Sequence, residues 1–211
     1  MPKDMVEALL GHGDYNVFRV DWGNGSSPEY ATAFVNTRRV GKELAIFINT
    51  LIREFNFNAS QAHCIGHSMG AYVCAFCGQD VENLGDPYPH GNINIYINGG
   101  YNQPRCNFSL VDAIDPNDIY DENLLDSSIN EVFCDHMSIL FYYIESIRNP
   151  SCKWIAYECQ SYEQFQAGQC KSCGADNSKC AFLGLRAIEY PDKSSEYRVF
   201  YTNANGEEPY C

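Results

Sequence analysis

The order of hydrophobic patterns in residues 16–78 is the feature that most constrains the fold. The apolar stretch "NVFRVDW" (16–22) predicts a buried strand, and residues 40–55 carry apolar side chains at helical spacing. A second short stretch, "AHCIG" (62–66), predicts another strand, and "AYVCAFCG" (71–78) predicts a second helix after a turn. Strand, helix, strand and helix in this order are typical of a parallel α/β unit with right-handed crossovers. We therefore predict an α/β fold with a mostly parallel sheet.

The second half of the chain is less regular. "NINIYIN" (92–98) alternates as a half-buried strand does, and "HMSILFYYIESI" (136–147) predicts a helix. From Cys152 onward the chain is rich in cysteine, and no linker separates it from the preceding residues. We expect one domain over residues 1–211.

The apolar face predicted for the helix at 136–147 consists of Ile139, Leu140, Tyr143, Ile144 and Ile147.

Charge and hydropathy exclude several classes of protein. The net charge of −13 disfavours nucleic-acid partners, which require clustered Lys and Arg. No apolar run approaches the roughly 18 residues of a transmembrane helix. We expect no cofactor and no metal.

Eleven cysteines favour an oxidising compartment, and three N-x-S/T sequons agree with it. The first residues, "MPKDMVEALL", contain acidic side chains and no long apolar core, so no signal peptide is visible. A secreted type of chain without that segment suggests a truncated start. The sequons lie at Asn24, Asn58 and Asn107.

Ser68 lies in "GHSMG" (66–70), a GxSxG pattern between a predicted strand and a predicted helix. In that context the pattern is typical of a sharp, strained turn that exposes a nucleophilic hydroxyl and demands small residues at 66 and 70. The amide of Met69 would then donate to an oxyanion, aided by the positive end of the helix dipole. The alternative is a serine that only caps the helix.

A nucleophilic serine needs a base, which lies downstream of it in a hydrolase with this order of elements. His90, in "PYPHGN", reads as a solvated loop residue. His136, in "CDHMSI", stands at a predicted loop-to-helix junction. We favour His136 as the base, against the alternative that it caps the helix.

Six segments together resemble the pancreatic lipase family: "VFRVDW", "NTRRVGKELAIFI", "HCIGHSMGAYVCAFCG", "YINGGYNQPRC", "CDHMSILFYYIESI" and "CQSYEQFQAGQCKSC". The resemblance covers nearly the whole chain. It implies a secreted α/β hydrolase, a lipase or phospholipase that acts on acylglycerols or phospholipids at a lipid–water interface. It also implies Ser68 as the nucleophile and His136 as the base. No C-terminal β-sandwich domain is expected after "GEEPYC".

The resemblance further implies how most of the cysteines pair. Cys106 and Cys134 would bracket a lid over residues 107–133. The mixture of apolar and acidic residues in this segment fits a lid with one apolar and one polar face. The alternative is an acidic surface loop. The other implied bridges are Cys159 with Cys170, Cys173 with Cys180, and Cys152 with Cys211. The three remaining cysteines, Cys64, Cys74 and Cys77, lie in apolar positions and are expected to be free and buried.

A zinc site built from the CxxC units at 74–77 and 170–173 is the weaker alternative.

The family also uses a carboxylate to orient the histidine, in a segment resembling GLDPA. Here the chain passes directly through "NLGDPY" around Leu84 to Asp86, so the resemblance implies that several dozen family residues are absent at this point. Asp115, in "VDAIDPND", follows Ser68 and precedes His136 and is the candidate surrogate acid, ahead of Asp86. The start of the chain also lies beyond the loop that supplies the second oxyanion amide in such enzymes.

These features favour a carboxylester hydrolase, impaired by loss of the acid. The alternative is a lipase-like protein that binds a lipid or a partner without catalysis. Retention of Ser68 and His136 favours the enzyme, and the absent acid favours the binder.

Overall fold

The computed structural model describes residues 3–81, 93–100, 103–106, 122–192, 194 and 196–211, with the backbone alone for 122–133. The chain forms two compact units. Unit 1 consists of Met1–Lys3 and Asn16–Gly91, and unit 2 consists of Asp4–Tyr15 and Asn92–Cys211.

Unit 1 is built on helices. They are α2 (Gly23–Ser26), α3 (Tyr30–Phe55) and α4 (Met69–Asp80), with a short 3-10 helix at Ala59–Gln61. The prediction of a long helix followed by a second helix is confirmed, although α3 begins earlier than the pattern from Val40 indicates. It ends where Asn56 adopts the left-handed conformation, which commonly terminates helices.

The packing of α3 against α4 forms the core of unit 1. A Cβ on Gly41 would lie 2.6 Å from the Phe76 Cβ and 2.9 Å from the Val73 carbonyl oxygen, so glycine permits the close approach. The Asn49 side-chain amide donates to the Asp80 carbonyl at 3.0 Å and so satisfies a group at the end of α4. Buried residues at the contact are Ala45, Ala59, Cys77 and Val81, flanked by Leu44, Ile48 and Ile52.

Two strands predicted in this part of the chain are wrong. Residues 16–22 and 62–66 belong to no helix or strand. Phe18 is 61% exposed, and its ring contacts Phe47 of α3 edge-on at 5.2 Å. A strand is stable only when neighbouring strands satisfy its backbone groups, and the sheet in the described residues lies in unit 2. The apolar pattern therefore corresponds here to irregular segments rather than to strands.

Unit 2 contains a four-stranded sheet in the order β1–β4–β2–β3. The strands are β1 (Ile93–Ile97), β2 (Ile155–Glu158), β3 (Cys180–Phe182) and β4 (Arg198–Thr202). The strand predicted at 92–98 is confirmed as β1. Only β1 and β4 pair in parallel, while β2 pairs antiparallel with β3 and β4. The expectation of a mostly parallel sheet is therefore wrong for the described residues, where the sheet is mixed.

Unit 2 also contains helices, which lie before and between its strands in the sequence. They are α1 (Lys3–His12), α5 (Glu122–Arg148) and α6 (Tyr162–Gln166), with 3-10 helices at Asn98–Gly100 and Gly184–Glu189. The predicted helix at 136–147 is confirmed as the second half of α5.

The buried face of α5 differs from the predicted one. Ile147 is buried as expected, but Ile139 is 38% exposed, and the fully buried positions are Ser138 and Tyr142. Tyr142 packs against the rings of Trp154 and Tyr210, with centroid distances of 5.5 and 5.2 Å. The Ser138 hydroxyl donates to the Cys134 carbonyl at 2.8 Å, so its burial leaves no orphan group. Aromatic partners distant in sequence thus decided which face is inside.

Five disulfides cross-link the chain. Four of them join the pairs that the family resemblance implies, Cys106–Cys134, Cys152–Cys211, Cys159–Cys170 and Cys173–Cys180. The fifth joins Cys64 to Cys74, so the expectation that both are free is wrong. Their Cα atoms are 5.7 Å apart, within the range that a disulfide spans. Cys77 is free and buried, as expected.

Gly41 gives a direct test of the helix packing. We expect Gly41→Ala to lower the free energy of unfolding by about 1–3 kcal/mol, because the new methyl group overlaps atoms of α4. Gly78→Ala is the matched control, since a Cβ there meets nothing within 4 Å. The control should stabilise α4 by about 0.5–1 kcal/mol through helix propensity. Urea unfolding followed by circular dichroism measures both; equal midpoints for the two variants would contradict the packing described.

Candidate active site

Ser68 lies at a strained turn immediately before α4. Its backbone has φ 54° and ψ −124°, a conformation that a residue with a Cβ rarely adopts. Such a conformation costs roughly 1–3 kcal/mol and persists where the surroundings enforce it, most often at functional sites. The residue is exposed. The strained, exposed serine that the GHSMG pattern predicts is therefore present.

Close approach of the chain to itself shapes this turn. A Cβ on Gly66 would lie 2.2 Å from the Gly70 carbonyl oxygen, so only glycine fits at position 66. A Cβ on Gly70 would meet nothing within 4 Å, so the predicted requirement for a small residue at 70 is wrong. Within the turn the Gly70 amide donates to the His67 carbonyl at 2.8 Å, and the Ala71 amide donates to the Ser68 carbonyl at 3.0 Å.

The Ser68 hydroxyl makes no capping hydrogen bond to the first amides of α4. The alternative interpretation of Ser68 as a simple helix cap is therefore wrong. Helix α4 begins at Met69, and the first amides of a helix have no acceptor within it. The turn thus combines an exposed hydroxyl with a helix N-terminus, where partial positive charge favours an oxyanion.

Cysteines lie on both sides of the turn. The Cys64–Cys74 disulfide joins the segment before Ser68 to α4, a bridge that neither the pattern nor the resemblance indicated. The spacing of two cysteines around the turn was the one signal available for it. Cys77 lies in the helix core, and its burial, with a smaller contribution from the Asp80 charge, raises the pKa of its thiol to about 11. Cys77 is therefore a protonated packing residue at neutral pH.

His136 belongs to unit 2 and lies within α5, which begins at Glu122. Its position inside the helix shows that the predicted loop-to-helix junction, and with it a capping role, is wrong. The side chain is exposed. The preceding Asp135 carboxylate accepts a hydrogen bond from the Gln103 backbone N–H at 2.7 Å and so holds the Cys106 segment beside α5. Pairing of His136 with Ser68 stays a prediction.

Other predicted features fall outside the described residues. They are Asp115, Asp86, His90, Asn107 and the region of Leu84 to Asp86; of the predicted lid, 107–133, only the backbone of 122–133 is described, as part of α5. Asn24 and Asn58 are both exposed. The Asn58 side-chain oxygen accepts from the Ser60 amide at 3.0 Å and so begins a 3-10 helix.

The residues that the structure describes offer neither a metal-binding cluster nor a membrane-spanning helix. The described part of the chain contains no group of three or more His, Cys, Asp or Glu side chains arranged to hold a metal ion. Cys74, Cys170 and Cys173 of the two CxxC units are all disulfide-bonded. None of the helices in the described ranges has the length and apolar character that crossing a bilayer requires.

Known proteins resemble this chain along its length. Pancreatic lipase-related protein 3 of Homo sapiens is 31% identical over 99% of this chain and 54% of its own length. Phospholipase A1 member A of Bos taurus is 29% identical over 98% of this chain and 51% of its own length. Inactive pancreatic lipase-related protein 1 of Mus musculus is 28% identical, over 95% and 51% respectively. The chain spans about half the length of the curated relatives it matches.

The alignments also show what this chain lacks. The alignment with the human relative is 258 positions long, so at least 47 of them (258 less the 211 residues present) have no counterpart here. A sequence model of the lipase family matches residues 1–85 and, separately, 81–210. The break at 81–85 coincides with the point where family residues were predicted to be absent. Because the two matched stretches together cover nearly the whole chain, it belongs to the lipase family.

Proposed function

We propose that this chain is a carboxylester hydrolase of the lipase or phospholipase type. The observation that carries the proposal is the strained, exposed Ser68 at the N-terminus of α4. In the proposed reaction the Ser68 oxygen attacks the ester carbonyl carbon, and an alcohol leaves as an acyl-enzyme forms. Water then attacks the acyl-enzyme, which releases a fatty acid and restores the serine.

His136 is the proposed base. It accepts the Ser68 proton during attack and gives it to the leaving alcohol. In the second step it accepts a proton from the attacking water and gives one to the departing Ser68 oxygen. The Met69 amide donates to the developing oxyanion, and the α4 dipole stabilises the same charge. The position of Met69 as the first residue of α4, directly after Ser68, supports this role, because the first amides of a helix have no acceptor within it.

We propose acylglycerols or phospholipids as the substrate class, since relatives are named as lipases and as a phospholipase A1. The segment 107–133, closed by the Cys106–Cys134 disulfide, is the proposed lid at a lipid–water interface. Five disulfides support an extracellular location, where such bonds persist. Asn24 and Asn58 are exposed and available for glycosylation there, and Asn107 completes the set of sequons.

Ser68 is tested by covalent labelling. A fluorophosphonate probe should modify one serine per molecule, and Ser68→Ala should abolish the label, because only an activated hydroxyl attacks phosphorus. Ser60→Ala is the control: Ser60 is exposed in the same unit and hydrogen-bonds to Asn58 at 2.9 Å. Mass spectrometry of peptides locates the label. Absence of labelling in a folded sample would reject the proposal.

His136 is tested by turnover of a soluble ester. His136→Ala should lower kcat by roughly 10- to 100-fold or to the limit of detection, because the serine then lacks a proton acceptor; the loss is smaller than in a complete triad, whose members act as a unit. His12→Ala is the matched control, since His12 is an exposed histidine at the end of a helix in the same unit. Equal turnover in the two variants would show that another group is the base.

The proposed mechanism also requires a carboxylate that orients His136. We propose that the missing positions around 81–85 include it, and that turnover is low for this reason. Loss of such an acid costs about 10⁴-fold in kcat without abolishing catalysis. Asp115→Asn should then leave turnover within about twofold of the parent, as should Asp112→Asn, its control three residues away. A large loss confined to Asp115→Asn would instead make Asp115 the acid.

A second candidate function is binding of a lipid or partner without catalysis. Two observations favour it: the positions absent from this chain and its similarity to a relative named as inactive. Ester turnover that Ser68→Ala abolishes would exclude a pure binding protein. Binding of short-chain lipid that Ser68→Ala leaves intact, in a sample without turnover, would support it.

A further inference from the structure

The segment before Ser68, residues 62–67, lacks the support that its pattern predicts. We call it the arm. It belongs to none of the strands in the described sheet, although its sequence is typical of a strand. Hydrogen bonds to neighbouring strands would normally hold such a segment in place. Since backbone strain persists only where the surroundings enforce it, contacts other than strand pairing hold the arm and Ser68 in place.

The Cys64–Cys74 disulfide is a covalent contact of this kind. Cys64 lies within the arm, and Cys74 lies in α4 on the other side of Ser68. The far end of the bond is well anchored, because α4 packs on α3 at Gly41 and buries Cys77 to 3% exposure. The bond therefore ties the arm to a packed helix, and the ring of residues that it closes contains the turn.

The third cysteine nearby does not compete for this bond. Disulfide exchange requires a thiolate. Burial keeps the Cys77 thiol protonated at neutral pH, with its pKa at about 11. The other four disulfides lie in unit 2, so within the described residues of unit 1 the Cys64–Cys74 bond is the one disulfide.

We propose that Cys64 and Cys74 are positioning residues for Ser68: their disulfide holds the arm against α4 and keeps the serine backbone in the conformation that exposes its hydroxyl. The inference rests on the proposed role of Ser68 as the nucleophile. It makes the reactivity of Ser68 dependent on an oxidised bond rather than on strand pairing.

The test compares two double variants. Cys64→Ala with Cys74→Ala removes the bond at the turn, and Cys159→Ala with Cys170→Ala removes a bond of nearly equal span in unit 2, with sequence separations of 10 and 11. Both should lower the urea midpoint to a similar extent, because the loops are similar in length. Only the first should slow fluorophosphonate labelling, by about 10- to 100-fold, since small misplacement of a reacting group costs rates of this size.

Two further measurements separate positioning from general weakening. For a soluble ester, the first variant should lower kcat with little change in KM, because the substrate still binds while the hydroxyl is misplaced. Hydrogen exchange at the amides of residues 65–70 should become at least tenfold faster in the first variant and stay unchanged in the second.

The proposal is overturned if the folded Cys64→Ala, Cys74→Ala variant is labelled at the parent rate, or if both variants lose labelling equally. If even the parent protein is not labelled, the proposed function fails, and exchange at residues 65–70 alone decides the positioning role. If the first variant does not fold, the parent is treated briefly with dithiothreitol. Mass spectrometry then selects molecules in which only Cys64–Cys74 is open, and unchanged exchange in them rejects the proposal.

Discussion

The packing of α4 against α3 holds in place the turn at Ser68 and the segment before it. Gly41 lets the helices approach closely, and the buried contact around Ala45 and Cys77 holds α4 in place. Ser68 lies where this helix begins, so the orientation of its turn follows from the helix contact. The arm before the turn takes its position from the same helix, through the Cys64–Cys74 disulfide. A strained residue on an exposed turn is thus supported by a buried contact several residues away.

Unit 2 achieves its order by other means. Its mixed sheet has short strands, and four disulfides lie within it. The Cys152–Cys211 bond closes 59 residues, which in the chain-entropy model stabilises the folded state by about 4 kcal/mol. Beside this bond, Tyr142, Trp154 and Tyr210 form an aromatic cluster with α5. Covalent closure and aromatic packing here support a sheet too small to stabilise itself.

Membership of the lipase family and the absence of at least 47 aligned positions have to be understood together. The family implies an α/β hydrolase, whose parallel strands depend on their neighbours for hydrogen bonds. In this chain the segments 16–22 and 62–66 have strand-like sequences but lie outside the described sheet. A strand without neighbours has no partners for its backbone groups, so absence of neighbouring family strands would leave these two segments outside a sheet. The serine turn is formed nevertheless, since it depends on Gly66, on α4 and, in our proposal, on the Cys64–Cys74 disulfide rather than on strand pairing.

The sequence by itself determined the local features: helices α3 and α4, strand β1, the second half of α5, and the serine turn. These depend on hydrophobic period and on glycine at position 66, both of which act over a few residues. The resemblance to a family also indicated four disulfide pairs that spacing could not assign. Tertiary structure decided which strand-like segments pair, that the described sheet is mixed, and that Tyr142 rather than Ile139 is the buried side chain of α5. It also decided that Cys64 bonds Cys74. The strand pairing and the buried face of α5 depend on which distant groups meet, and contact between residues far apart in the chain leaves no periodic signal in the sequence. The Cys64–Cys74 bond instead depends on the turn that brings two Cα atoms ten residues apart to within 5.7 Å of each other.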